Sequence, residues 1–338
     1  MFIDSSINNR IPRFFLTLHR EKKSMKLRST LLAMGAALSL GLAGTAPAQA
    51  ADCSKVTFSD VGWTDITSTT AVATTILEAL GYETDTKVLS VPVTYEALSK
   101  GDVDVFLGNW MPSMAANVDP YTKDGTVETL GTNLTGAKYT LATNAAGAKA
   151  GIKDFSDIAK HADELDNQIY GIEPGNDGNA LILDMIDKDA FGLKDFDLKE
   201  SSEQGMLAQV ARADKADKPI IFLAWEPHPM NSNFDITYLS GGDDFFGPDY
   251  GGATVMTNVR AGYVDECPNP GKFVSNLKFT LGMENEIMGK ILDDGDDPKD
   301  AAKAWLKANP DAWKAWLDGV TTKDGGDAQA AVEKALNS

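Results

Sequence analysis

Short apolar runs alternate along the chain with amphipathic stretches whose apolar residues recur every three or four positions, the grammar of an α/β fold. Residues 55–59 (KVTFS) read as a strand, and the next segment sets Val72, Ile76, Leu77 and Leu80 on one helical face before Gly81 stops it. A second strand is expected over 84–91, a helix over 93–100 ended by Gly101, and a strand over 103–107 that leads into Gly108-Asn109-Trp110-Met111-Pro112. The middle continues in kind: a strand over 138–142 that includes Tyr139, a helix over 154–161, and a strand over 168–172 running into Glu173-Pro174-Gly175-Asn176-Asp177. A helix carrying Leu181, Ile182, Met185 and Ile186 follows. Another, around 206–211, precedes an apolar strand over 219–224 that ends in Trp225-Glu226-Pro227-His228-Pro229. After a strand near 253–259 only helices are expected, with Trp305, Trp313 and Trp316 packing on their faces and Asn309-Pro310 opening one of them.

The turns share a property. Ligands of open α/β sheets bind beyond the carboxyl ends of the strands, and Trp63, Asp65, Trp110, Asn176 and Trp225 all fall there. One tryptophan near a strand end is ordinarily a partly buried core residue, but three at one mouth suit a soft cation. Indole faces carry negative quadrupole density and hold a quaternary ammonium without hydrogen bonds, at about 0.5–2 kcal/mol per ring. Asp65 adds a formal charge beside them; its plainer role would be to cap the helix after Trp63.

Charge and processing signals narrow the class. The 338 residues hold 31 basic and 49 acidic side chains, a formal charge of −18. That balance excludes an extended phosphate-neutralising surface, so nucleic acid is not an expected partner. The first fifty residues run the other way, with seven basic and two acidic side chains. From Met25 a short basic start (Lys26, Arg28), an apolar stretch over 31–42 and Ala48-Gln49-Ala50 read as a signal peptide over 25–50 cleaved after Ala50. Residues 1–24 read as an over-extended, floppy start, with Met25 the natural initiator. The exported chain then carries 24 basic and 47 acidic side chains, or −23. Export implies a periplasmic, oxidising setting, in which Cys53 and Cys267 are expected to pair across 214 residues. With only His161 and His228 left after processing and no HExxH or CxxC, neither a metal nor a cofactor is expected.

Taken together, Gly62-Trp63-Thr64-Asp65, Gly108-Asn109-Trp110-Met111-Pro112, Lys138-Tyr139, Gly171-Ile172-Glu173-Pro174-Gly175-Asn176 and Ala224-Trp225-Glu226-Pro227-His228 resemble the glycine betaine/choline-binding family of ABC importer substrate-binding proteins. The resemblance spans nearly the whole exported chain. It implies a two-lobed periplasmic-binding-protein fold of type II, with two crossover hinges and a ligand cleft between the lobes. Lobe 1 would comprise residues 51–135 and 250–338, and lobe 2 residues 136–249. It also implies an aromatic box of Trp63, Trp110, Tyr139 and Trp225 around a trimethylammonium head, with Asp65 and Asn176 as polar contacts. Tyr139 enters on the resemblance alone. The implied ligand is choline, with acetylcholine or betaines bound weakly, and the implied partner is an inner-membrane permease that receives ligand from a monomeric protein. A glycine betaine or carnitine binder is the alternative within the class.

Two other classes compete. An enzyme could draw on Asp65, Glu173, Asp177, Glu226 and His228, but His228 lies between two prolines and no GxSxG or phosphate loop is present, so no catalysis is expected. A scaffolding protein would use its tryptophans as an interface patch and show no small-ligand response.

Overall fold

The fold is that of a computed structural model describing residues 52–338. The expected start, signal peptide and cleavage point lie outside the described residues. Nine strands form one sheet: β1 (Lys55–Asp60), β2 (Glu83–Val88), β3 (Val105–Met111), β4 (Val127–Asn144), β5 (Gln168–Tyr170), β6 (Asp197–Lys199), β7 (Ile221–Glu226), β8 (Ile236–Tyr238) and β9 (Gly252–Arg260). Their order is β2-β1-β3-β9-β4-β7-β5-β6, with β8 also on β4. Two parallel triplets, β2-β1-β3 and β7-β5-β6, are therefore joined through antiparallel β9 and β4.

The long β4 organises the molecule. It pairs with β9 from Val127 to Lys138 and with β7 from Lys138 to Thr143. The ladder to β9 slips between Thr129 and Gly131, Thr132 and Leu134, and Thr135 and Ala137, and Gly131 and Gly136 take positive φ of 140° and 79° there. Such irregularities bend a strand and break its period of two. For that reason VETLGTNLTGAK does not read as a strand in sequence, where only 138–142 does.

Segments before β4 and after β9 pack together. Helix α1 (Thr64–Ala79) lies against the Leu281–Gly289, Pro298–Ala308 and Ala328–Leu336 helices. Val72, Ile76, Leu77 and Leu80 are buried as their spacing predicts. The helix is also buried on its threonine-rich sides, because Ser68, Thr69, Thr74 and Thr75 return their hydroxyls to carbonyls of the preceding turn. Trp313 and Trp316 are buried, donating to the Leu306 and Lys278 carbonyls, while Trp305 is half-buried and donates to Glu286. Among the described residues no helix is long and apolar enough to cross a membrane.

Several boundaries differ from the sequence reading. β2 ends at Val88, and α2 (Val91–Lys100) starts two residues early behind Ser90 with Pro92 in its first turn. Gly108 to Met111 are part of β3, not a turn after it, because Trp110 and Met111 pair with Val255 and Thr254 of β9. Gly108 is needed there, since a Cβ would lie 2.8 Å from the Ile66 side chain of α1. Trp225 and Glu226 likewise belong to β7. The helix expected around 206–211 runs from Glu203 to Lys215.

Cys53 and Cys267 form the expected disulfide, stapling the start of β1 to the segment after β9 across 214 residues. Closing so long a loop is worth about 5 kcal/mol in the chain-entropy picture. Thiol titration of the unfolded, unreduced protein should find no free thiol. Replacing both cysteines by serine should lower unfolding stability by about 2–5 kcal/mol in a denaturant titration.

Candidate ligand-binding site

Three strand ends, the middle of β4 and two helix starts converge on a single buried cavity. Gly62, at φ 82°, turns the chain after β1 and places Trp63 at the N-cap of α1, with Asp65 in its first turn. Trp110 comes from the end of β3. Tyr139 of β4 and Trp225 of β7 are directly opposed in the antiparallel ladder. These five residues, with Ile172 from the turn after β5 and Asp177 at the start of the Asp177–Asp187 helix, line the cavity. All seven are buried, none more than 7% exposed. Ring centroids lie 6.0 Å apart for Trp110 and Tyr139 and 6.3 Å for Tyr139 and Trp225.

The polar edges of the rings are anchored. Trp63 Nε1 donates to Glu173 Oε1 at 2.8 Å, and Trp110 Nε1 donates to Asp65 Oδ2 at 3.1 Å. Tyr139 Oη donates to Asn176 Oδ1 at 3.0 Å. Asn176 thus stands one step behind the lining: its carbonyl also caps the Asp177–Asp187 helix at Asn179, and its amide donates to Asp177 Oδ1. The approach of Tyr139 to that helix requires Gly178, where a Cβ would fall 2.0 Å from the phenol oxygen.

Asp65 does not cap α1. It is the second residue of the helix, with one oxygen on Trp110 and the other, Oδ1, buried without a partner. Burial pushes its pKa up to about 8, with the charge of Glu203 adding to the effect. Burial also lifts Glu173 to about 7 and Asp177 to about 6. Glu284, on the Leu281–Gly289 helix, is raised first by burial and then by Asp65. Among the described residues no cationic side chain lines the cavity. Lys138, the lysine of the quoted motifs, pairs with Glu226 at 3.2 Å and lies over the Tyr238 ring. The cavity is therefore aromatic and lined by carboxyls whose protonated form burial favours, and a monovalent cation would favour their ionised form.

His228 is held at both ring nitrogens and does not line the cavity. Its Nδ1 accepts from the Met230 amide at 2.9 Å, which puts the ring proton on Nε2, 3.3 Å from Glu203 Oε1. Sequence reasoning grouped Asp177 only with the acidic residues near the cleft and passed over Ile172 as a lining residue. Their signal was the same strand-end position that singled out Asn176.

A sheet of this topology holding one enclosed aromatic cavity at its strand ends defines a solute-binding protein. The chain belongs to the OpuAC family, described as the substrate binding domain of ABC-type glycine betaine transport system, whose model matches residues 54–308. A solved ABC-transporter choline binding protein in complex with choline is 71% identical, with a TM-score of 0.83 over 84% of this chain and 98% of that one. Lactococcal OpuAC, solved in its closed-liganded conformation with glycine betaine, is 26% identical, with a TM-score of 0.70 over 78% and 98% of the two chains. The glycine betaine/carnitine transport binding protein GbuC of Listeria monocytogenes is 32% identical over 165 residues, 48% of this chain and 53% of that protein. The family binds and delivers solute; it is not a family of enzymes.

The electrostatics set a test independent of any ligand. Asp65 has a folded pKa near 8 against an ordinary 3.8, so its burial cost is absent below pH 4, grows as the pH rises between the two values, and is complete above 8. Asp65→Asn keeps an acceptor for Trp110 and removes that cost. The substitution should raise the thermal midpoint of the ligand-free protein more at pH 8.5 than at pH 5; equal increments at both would contradict the assignment.

Proposed function

We propose that this protein is the extracytoplasmic capture component of an ABC importer for choline. Trp63, Trp110, Tyr139 and Trp225 form the box for the trimethylammonium head, and Asp65 accepts from the ligand hydroxyl. The observation that carries this reading is the enclosed cavity of three indoles and a phenol that has no cationic side chain and a buried, unpartnered Asp65 oxygen. Asn176 acts through Tyr139 and Asp177, both of which it bonds. Residues 51–135 and 250–338 form one lobe and 136–249 the other. The chain crosses between them within β4 and again just before β9, and the two passages lie side by side where Lys138 pairs with Gly252. The signal peptide over 25–50 directs the chain to the periplasm, where the monomer passes its ligand to an inner-membrane permease.

Glycine betaine is the second reading, favoured by the family description and by GbuC. Betaine offers the same head, so the aromatic box does not separate the two and the far end of the ligand decides. Its carboxylate would meet Asp65 and Asp177 with no basic side chain in the described lining, a like-charge contact that costs a few kcal/mol at a pH where both are ionised. Acetylcholine keeps the head but loses the hydroxyl donor, and binds more weakly.

Two outcomes follow by calorimetry. Trp225→Ala should weaken choline binding about ten- to a hundredfold from lost ring contact and burial. Trp305→Ala should leave it unchanged, since half-buried Trp305 bonds Glu286 and does not line the cavity. Because a bound cation favours ionised Asp65, Glu173 and Asp177, choline binding should release protons below pH 8 and weaken as the pH falls toward 6. Betaine affinity should change less, so the preference for choline should narrow on acidification. Betaine binding as tight as choline at pH 8 would reverse the ligand assignment.

A further inference from the structure

We propose that Glu203 is a positioning residue of this site, a latch that holds the start of α1 against the middle segment of the chain and so slows ligand exit. The inference rests on the choline-binding reading and concerns a residue that does not line the cavity. Helix α1 starts between two cage residues, Trp63 and Asp65, and its N-cap residue is Trp63, whose side chain makes no capping hydrogen bond. The first-turn amides of a helix need acceptors, and here the acceptor arrives from 139 residues away. Glu203, first residue of the Glu203–Lys215 helix, accepts from the Thr64 amide through Oε2 at 2.9 Å and from the Thr64 hydroxyl through Oε1 at 2.5 Å. Such charge-assisted bonds at a helix N-terminus are among the stronger ones available to a carboxylate.

The same carboxylate reaches the other side of the cage. His228 Nε2 donates to Glu203 Oε1 at 3.3 Å, and the His228 ring meets Trp225 edge-on with centroids 5.0 Å apart. Glu203, Thr64 and His228 are all buried, at 1%, 4% and 2% exposure. One side chain therefore ties the Trp63-Thr64-Asp65 corner to the Trp225 corner from behind the aromatic surface. In the two-lobe layout Glu203 and His228 sit in the middle lobe and Thr64 in the other, so the Glu203–Thr64 bonds can exist only with the cleft shut. Their loss should act on release, because they form after the ligand has entered.

The test compares Glu203→Gln, Thr64→Val and the double variant with the wild type, each checked by circular dichroism, in stopped-flow tryptophan fluorescence with choline. Each single variant should raise the dissociation rate about tenfold with association changed less than about twofold. The double variant should release choline no faster than the faster single one, since both remove the same contact. Unchanged dissociation in folded variants, even with a lowered thermal midpoint, would reduce Glu203 to a structural residue and overturn the proposal; so would additive effects. Thr64→Val carries the test alone if Glu203→Gln does not fold, since it removes one hydroxyl and keeps the helix. If the wild type captures no choline, the ligand reading fails, and the latch is read instead from the release of glycine betaine in the same stopped-flow assay. There Glu203→Gln should again dissociate about tenfold faster, and an unchanged rate overturns the latch.

Discussion

Asp65 and its neighbours impose the constraint on which the rest of this structure turns. Asp65, Asp177 and Glu284 are buried, Glu173 sits beside them, and all four are lifted above their ordinary range chiefly by loss of water. Among the described residues no lysine or arginine enters the lining to offset them. A carboxylate in that state is stable when protonated or when a cation comes close. The cavity thus stores a demand for positive charge, and the aromatic rings decide which cation can answer it. A small hydrated ion would have to lose its water for partners that offer few oxygens, whereas a quaternary ammonium has no hydrogen bonds to lose.

Holding that arrangement requires a rigid frame, and the sheet supplies it. Trp110 leaves β3, Tyr139 and Trp225 face each other across β4 and β7, and Trp63 and Asp65 open α1 directly after β1. Each cage residue is therefore anchored by backbone hydrogen bonds in a strand or a helix turn rather than carried on a free loop. The disulfide and the packing of α1 against the C-terminal helices stiffen one side of the cage. The Trp63–Glu173 and Trp110–Asp65 bonds then fix the indole planes.

Much of this was legible in the sequence, and the exceptions have physical causes. Trp63, Asp65, Trp110 and Trp225 stood out because short apolar strands end beside them. Tyr139 did not, because a tyrosine inside a strand has no local mark of facing a ligand; only the family resemblance singled it out. The first half of β4 was invisible because its register slips destroy the alternation that marks a half-buried strand. Trp110 and Trp225 were placed in turns because Gly108 and Pro227 read as breaks. In the structure Gly108 makes room for Ile66, and Pro227 lies just past the last residue of β7. Glu203 gave no signal at all: its partners lie 139 and 25 residues away, and nothing in local spacing connects them.

Selectivity comes down to register more than to overall charge. A strongly acidic surface repels an anion from every direction, yet one lysine in the right place would be enough to welcome a carboxylate. Lys138 is adjacent to Tyr139, and its partner Glu226 is adjacent to Trp225. Because successive residues of a strand face opposite sides, the Tyr139–Trp225 pair looks into the cage while the Lys138–Glu226 pair looks away from it. A slip of β4 by one residue against β7 would set Lys138 opposite Trp225, bringing an ammonium where a phenol now stands. The bulges of β4 end at Ala137, and from Lys138 the ladder to β7 runs without irregularity. The strand is regular where the identity of the inward residue decides the sign of the site.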